Sequence, residues 1–285
     1  MYQRPYFSFQ KVYILIAVLL AHQTAFANPI AKPVQVFAVV VGIREYKQSD
    51  ANLQYADQDA QNIFDFLTDR NYGNVPPANI TLLVNKNATK QNIQKAIAAQ
   101  FSRASANDIV LFYFSGHGNP GVLCPYDQAY SKSTALWYDE IKNGMNTSAA
   151  NRKICFLDAC FSGSIVDKNM GKKSFDAEFV SMQQQLARFS DVKQADKGSS
   201  TSKIFVYASS RKNQTSAESD QLKEGVFTYY LLKGLKGEAD GNHNSVITAG
   251  ELLGYLKKQI NTQSPVLAGL NIDNNMIIFS INRPH

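Results

Sequence analysis

Cysteine, tryptophan and long apolar runs are scarce here: 285 residues contain three cysteines and one tryptophan. Three cysteines are too few for the framework of bridges that staples a small disulfide-rich domain. Beyond the N-terminal segment no stretch is long and apolar enough to cross a bilayer, which takes roughly 20 residues. Positive charge is only mildly in excess, with 29 Lys and Arg against 23 Asp and Glu for a formal net charge of +6. It forms no basic stripe and is accompanied by no RNA-type aromatic motif, so nucleic-acid binding is set aside. No internal repeat is visible, which excludes a stacked-repeat architecture.

What is present begins with a processing signal. Arg4 and Lys11 precede an apolar core from Val12 to Ala21, followed by Ala25-Phe26-Ala27. A basic start, a short apolar core and an Ala-x-Ala site make a secretory signal peptide over 1–27, cleaved after Ala27. The core is short for an uncleaved anchor, so the mature chain, 28–285, is expected in the periplasm or outside the cell, with no stable membrane span. Losing Arg4 and Lys11 lowers the net charge by two. The remaining length suits one large α/β domain.

Val34 to Ile43 is a valine-rich apolar run, the composition of a strand buried on both faces of a parallel sheet. Ala56, Ala60, Ile63 and Leu67 then recur at helical spacing. Ile80 to Val84 reads as a strand, Thr89 as the cap of a helix burying Ile93, Ala96, Ile97 and Phe101, and Asp108 to Phe114 as a third strand. Gly121 to Asp127 reads as loop, and a short helix begins around Trp137 to Ile141. Lys203 to Ala208 is a further strand, Phe227 to Leu235 and Ala249 to Ile260 are helices, and Met276 to Ile281 closes the chain as a strand. The segment 167–202 is polar and reads as a flexible linker carrying one helix with Phe179, Met182, Leu186 and Phe189 on one face. Alternating strands and helices of these lengths predict a doubly wound α/β sheet.

Two of the apolar runs end alike. Ile154 to Leu157 breaks into Asp158, Ala159, Cys160, Phe161, Ser162 and Gly163; Asp108 to Phe114 breaks into Ser115, Gly116, His117 and Gly118. If the two are neighbouring parallel strands, both turns lie at the carboxyl edge of one sheet, where open α/β sheets bind their ligands. A histidine beside a cysteine lowers the thiol pKa and supplies a proton to a leaving group, so Cys160 is the candidate nucleophile and His117 the candidate acid/base. Gly118, with no side chain in the way, and Cys160 are candidate N–H donors to an oxyanion. Cys124 and Cys155 are then the only pair left for a disulfide, though Cys155 lies inside an apolar strand and is read first as core.

On these residues the chain resembles the caspase-like cysteine peptidases, and among them the metacaspases and their bacterial relatives. The likeness extends over Asp57-Gln-Asp59-Ala60, Ser115-Gly-His117-Gly118, Asp158-Ala-Cys160-Phe-Ser-Gly163, Gln214-Thr-Ser-Ala-Glu218, Gly225-Val-Phe-Thr228 and Gln263-Ser-Pro-Val-Leu267, in the family's order. It implies a three-layer α/β/α sandwich around a mostly parallel sheet, and an endopeptidase acting through an acyl-enzyme on protein or peptide substrates.

The acids near the dyad follow. Asp158, two residues before Cys160, either caps its turn or lines the pocket for the residue before the scissile bond. The resemblance selects the pocket, because metacaspases carry Asp there and cleave after Arg or Lys. By the same likeness Asp59 and Ser115 are further pocket walls, although Asp59 reads equally as a first-turn acid of a helix. Asp127, Asp139, Glu140 and Asp167 resemble the acidic positions where some metacaspases hold an activating calcium ion, with Glu140 standing where the family usually has Asp. The dyad itself requires no cofactor. Asp240, Asn242, Asn244, Val246, Thr248 and Glu251 have the offsets of an EF-hand loop, but Ser245 replaces its glycine, and a polar loop with Thr248 capping a helix explains them as well. The basic residues of 167–202 are candidate self-cleavage sites. Two rivals stand beside the peptidase reading: a caspase-fold scaffold without turnover, and a peptidase of this fold with another pocket preference.

Overall fold

The structure is a computed structural model and describes residues 33–119, 121–129, 133–159, 203–209, 218–270 and 273–280. The signal-peptide and linker segments and Cys160 therefore lie outside the described residues.

The valine-rich run forms β1 (Val36–Gly42). After it come α1 (Ala56–Thr68), β2 (Ile80–Val84), α2 (Lys90–Phe101) and β3 (Ile109–Gly116). Then follow the two-residue strands β4 (Gly118–Asn119), β5 (Val122–Leu123) and β6 (Leu136–Trp137), with α3 (Tyr138–Asn146) and β7 (Arg152–Ala159). The later elements are β8 (Lys203–Ala208), β9 (Glu218–Ser219), β10 (Glu224–Gly225), α4 (Val226–Lys233), β11 (Val246–Thr248), α5 (Ala249–Gln259), β12 (Val266–Leu270) and β13 (Ile277–Ser280).

The main sheet has the order β12-β8-β7-β3-β1-β2, with every neighbouring pair parallel except β12 with β8. Alternation along the strands divides the core between two faces. Val39, Val41, Phe112, Phe114, Cys155 and Leu157 pack with α2 and α3 through Ile93, Ile97, Ile141 and Met145. Ala38, Val40, Leu111, Tyr113, Ile154 and Phe156 pack with α1, α4 and α5 through Ile63, Phe227 and Leu252. The result is the expected α/β/α sandwich.

Thr89 caps α2 as expected, accepting the Asn92 N–H at 3.3 Å. Asp108 lies outside β3, because its carboxylate accepts the N–H groups of Gln35 and Ser105 at 2.9 and 2.8 Å and so ties a turn. At its other end β3 runs on through Ser115 and Gly116, held in register by Asp158 and Ala159 of β7. Gly121 to Asp127 is not all loop: Val122–Leu123 pairs with both β4 and β6. Beyond Lys233, α4 passes into a π-helical turn over Gly234–Glu238. Cys124 and Cys155 are both buried and form no disulfide with each other, so the alternative in which they pair is not realised.

Candidate active site

His117 follows the last residue of β3 and Cys160 follows the last residue of β7, and the register sets Gly116 opposite Ala159. The two chains thus leave the same sheet edge at the same level. Gly116 is required by a close approach: a Cβ there would stand 2.7 Å from the Tyr46 hydroxyl. That hydroxyl accepts the His117 N–H at 2.7 Å, and the Tyr46 and His117 rings lie 5.0 Å apart between centroids.

The imidazole is oriented by a backbone group. Its Nε2 lies 2.7 Å from the Ala51 carbonyl oxygen. A carbonyl can only accept, so Nε2 carries the proton and Nδ1 is left as the basic nitrogen. Burial pulls the histidine below its ordinary pKa, and the Ala51 bond opposes that. Neither Ala51 nor Tyr46 was expected from sequence, since a backbone carbonyl has no side-chain signature.

Asp59, Ser115 and Asp158 converge on one another, all almost fully buried. Asp59 stands in the first turn of α1, as its reading as a first-turn acid has it. Its Oδ1 accepts the Gly225 N–H and its Oδ2 the Ser115 hydroxyl, each at 2.8 Å. Asp158 Oδ2 accepts the Thr228 N–H at 3.2 Å and hydroxyl at 2.7 Å, at the start of α4. The Thr228 hydroxyl lies 2.6 Å from Tyr113 Oη. Thr228 and Gly225 stand in a quoted motif, yet their roles were not legible in it.

The two carboxylates share one small space. A Cβ on Gly225 would meet Asp158 Oδ2 at 2.6 Å and Asp59 Oδ2 at 2.7 Å, so only glycine fits between them. Burial first, and Asp158 second, push the Asp59 carboxyl well above the ordinary carboxylate range. Among the described residues no cation pairs with Asp59.

Gly118 is buried at the start of β4, opposite Leu123. Of the acids compared with a calcium site, Asp127 and Glu140 have partners within the chain. Asp127 Oδ1 accepts the Lys90 N–H at 2.9 Å. Glu140 accepts the Trp137 N–H at 2.8 Å and the Gln94 side chain at 3.0 Å, and pairs with the Lys90 ammonium at 3.0 Å. Asp139 is exposed, and Asp167 lies outside the described residues. In the second loop Asp240 accepts the N–H groups of Asn244 and Ser245, Asn242 that of Asn244, and Asn244 that of Val246. Glu251 completes a capping box with Thr248. Among the described residues no three His, Cys, Asp or Glu side chains form a group that could hold a metal ion.

The profile described as caspase domain matches residues 35–273, most of the chain. The chain belongs to the caspase domain family. A curated protein of a Desulfuromonadales bacterium, described as a probable protease, is 29% identical over 149 residues, 44% of this chain and 18% of that protein. The chain therefore spans a little under a fifth of that relative in the match. Among solved structures, a Geobacter sulfurreducens protein superposes with a TM-score of 0.61 over 87% of this chain and 99% of its own, at 18% identity. Caspase-1 of Spodoptera frugiperda does so with a TM-score of 0.52, 83% and 87% coverage and 12% identity. These two show the shared fold, and the family is one of caspase-like peptidases.

Proposed function

We propose that this caspase-domain protein is a secreted cysteine endopeptidase of metacaspase type, hydrolysing peptide bonds after Arg or Lys. The observation that carries the reading is the register of β3 with β7, which sets Gly116 and Ala159, the residues before His117 and Cys160 in the chain, opposite each other. The Cys160 thiol passes its proton to Nδ1 of His117, the thiolate attacks the substrate carbonyl carbon, and the N–H groups of Gly118 and Cys160 receive the charge on its oxygen. His117 then gives a proton to the amide nitrogen as the C–N bond breaks, leaving a thioester. Water, activated by the same imidazole, releases the acid and restores the thiol.

Basic specificity is supported by the buried carboxylates of Asp59 and Asp158, with Ser115 fixing Asp59. A guanidinium or ammonium entering beside them would relieve the repulsion between two buried acids. An Asp side chain would add a third. Activation by calcium, which the family likeness implies, would require Glu140 to give up Lys90, and the chemistry above has no step that needs the ion. The residues before Asn28 are read as a cleaved signal, and the basic residues of 167–202 as substrates for self-processing.

The test is hydrolysis of fluorogenic peptides ending in Arg, Lys or Asp by the mature protein, with and without calcium, beside Cys160→Ala. Cleavage after Arg or Lys, lost in the variant, is expected. Cleavage after Asp alone would overturn the pocket assignment. A folded protein with a free Cys160 thiol that cleaves none of them would favour the scaffold.

A further inference from the structure

The Ala51 carbonyl that orients His117 belongs to a loop, 43–55, between β1 and α1. The loop is closed on itself: Leu53 N–H donates to Arg44 O at 2.9 Å, and Tyr46 N–H to Asn52 Oδ1 at 2.9 Å. Its last two N–H groups, at the start of α1, have no partner within the loop. They turn to a distant residue. Glu218 Oε1 accepts the Tyr55 N–H at 2.8 Å, and the Gln54 N–H lies 3.0 and 3.1 Å from Oε1 and Oε2. The Tyr55 hydroxyl donates to Asp220 at 2.7 Å, a second tie between the same two segments.

The carboxylate is chemically apt there. The first N–H groups of a helix lack intrahelical acceptors, and the positive end of the helix dipole favours an anion. Tyr55 offers no side-chain cap of its own. Glu218 starts β9, whose partner β10 ends at Gly225, the residue that donates to Asp59. One short hairpin therefore touches the histidine's loop from one strand and Asp59 from the other, with Glu218 and Gly225 directly opposite each other.

We propose that Glu218 is a positioning residue for His117: by receiving the N–H groups of Gln54 and Tyr55 it holds the 43–55 loop so that the Ala51 carbonyl meets Nε2. If Glu218 served only to cap α1, its removal would lower stability and leave the imidazole untouched. If it positions the loop, its removal weakens the Ala51 bond, which favours the protonated ring, and the histidine becomes harder to protonate. Glutamine keeps one acceptor oxygen and loses the other, so its effect falls between.

The inference rests on the catalytic role proposed for His117, but its first test needs no turnover. The His117 titration is followed by NMR in the mature chain carrying Cys160→Ala, alone and with Glu218→Gln or Glu218→Ala. The expected result is a downward shift of about 0.5 pH unit or more with alanine and a smaller one with glutamine. In the active enzyme, kcat is expected to fall roughly ten-fold with alanine while KM changes little. An unchanged His117 titration in folded Glu218→Ala overturns the proposal. If alanine does not fold, an unshifted titration in Glu218→Gln overturns it equally. Failure of the peptidase reading shows separately, as absence of hydrolysis by the parent protein.

Discussion

At the scale of single residues, the proposed pocket role of Asp59 would couple specificity to stability. Its carboxyl is raised by burial and by Asp158, so the folded protein holds that proton more tightly than the unfolded chain. Stability is therefore lost as pH rises from the unfolded value of about 3.9 towards the folded one. Asp59→Asn keeps an oxygen for the Gly225 N–H and presents an amide where the like charge stood. We expect it to add on the order of 1 kcal/mol at pH 7 and to flatten the pH dependence above pH 4, read by urea unfolding. It should also lose most of the preference for Arg and Lys. Destabilisation at pH 7 would contradict this account of the pair. Asp59, Ser115 and Asp158 were legible in the sequence because each sits in a side-chain motif. Tyr46 and Ala51 were not, since they act from another loop, one of them through a backbone oxygen. The pairing of Glu140 with Lys90, remote from it in sequence, was not legible either.

At the scale of elements, long periodic segments were legible and short ones were not. The strands β1, β2 and β8 and the helices α1, α2 and α5 carry enough apolar positions to declare their period. The two-residue strands β4, β5 and β6 carry none, and Ala268 and Gly269 hide β12, which exists because β8 offers it an antiparallel partner. The loop before α5 shows what a spacing match can conceal. Thr248 accepts the Glu251 N–H at 3.3 Å, while Glu251 accepts the Thr248 N–H at 3.0 Å, which makes the last motif position a helix cap. Thr248→Ala should therefore cost about 1 kcal/mol in chemical denaturation with kcat/KM unchanged. A parallel fall in peptide hydrolysis by the folded variant would show that this loop reaches the active site.

At the scale of the whole molecule, one sheet edge collects the working parts. All parallel strands end there, the β1–α1 loop brings Tyr46 and Ala51, and the first turns of α1 and α4 bring Asp59 and Thr228. Alternating strands and helices imply such an edge, but periodicity alone does not say which strands are neighbours. The order β8-β7-β3-β1 supplies that, with β7 beside β3. Covalent trapping tests the central claim most directly. The mature protein is incubated with a peptidyl-arginine acyloxymethyl ketone or its aspartate counterpart, and the modified residue is located by mass spectrometry. The account predicts one adduct, on Cys160, formed with the arginine compound far faster than with the aspartate one and lost in His117→Ala. No adduct, one confined to Cys124 or Cys155, or a preference for the aspartate compound would contradict it.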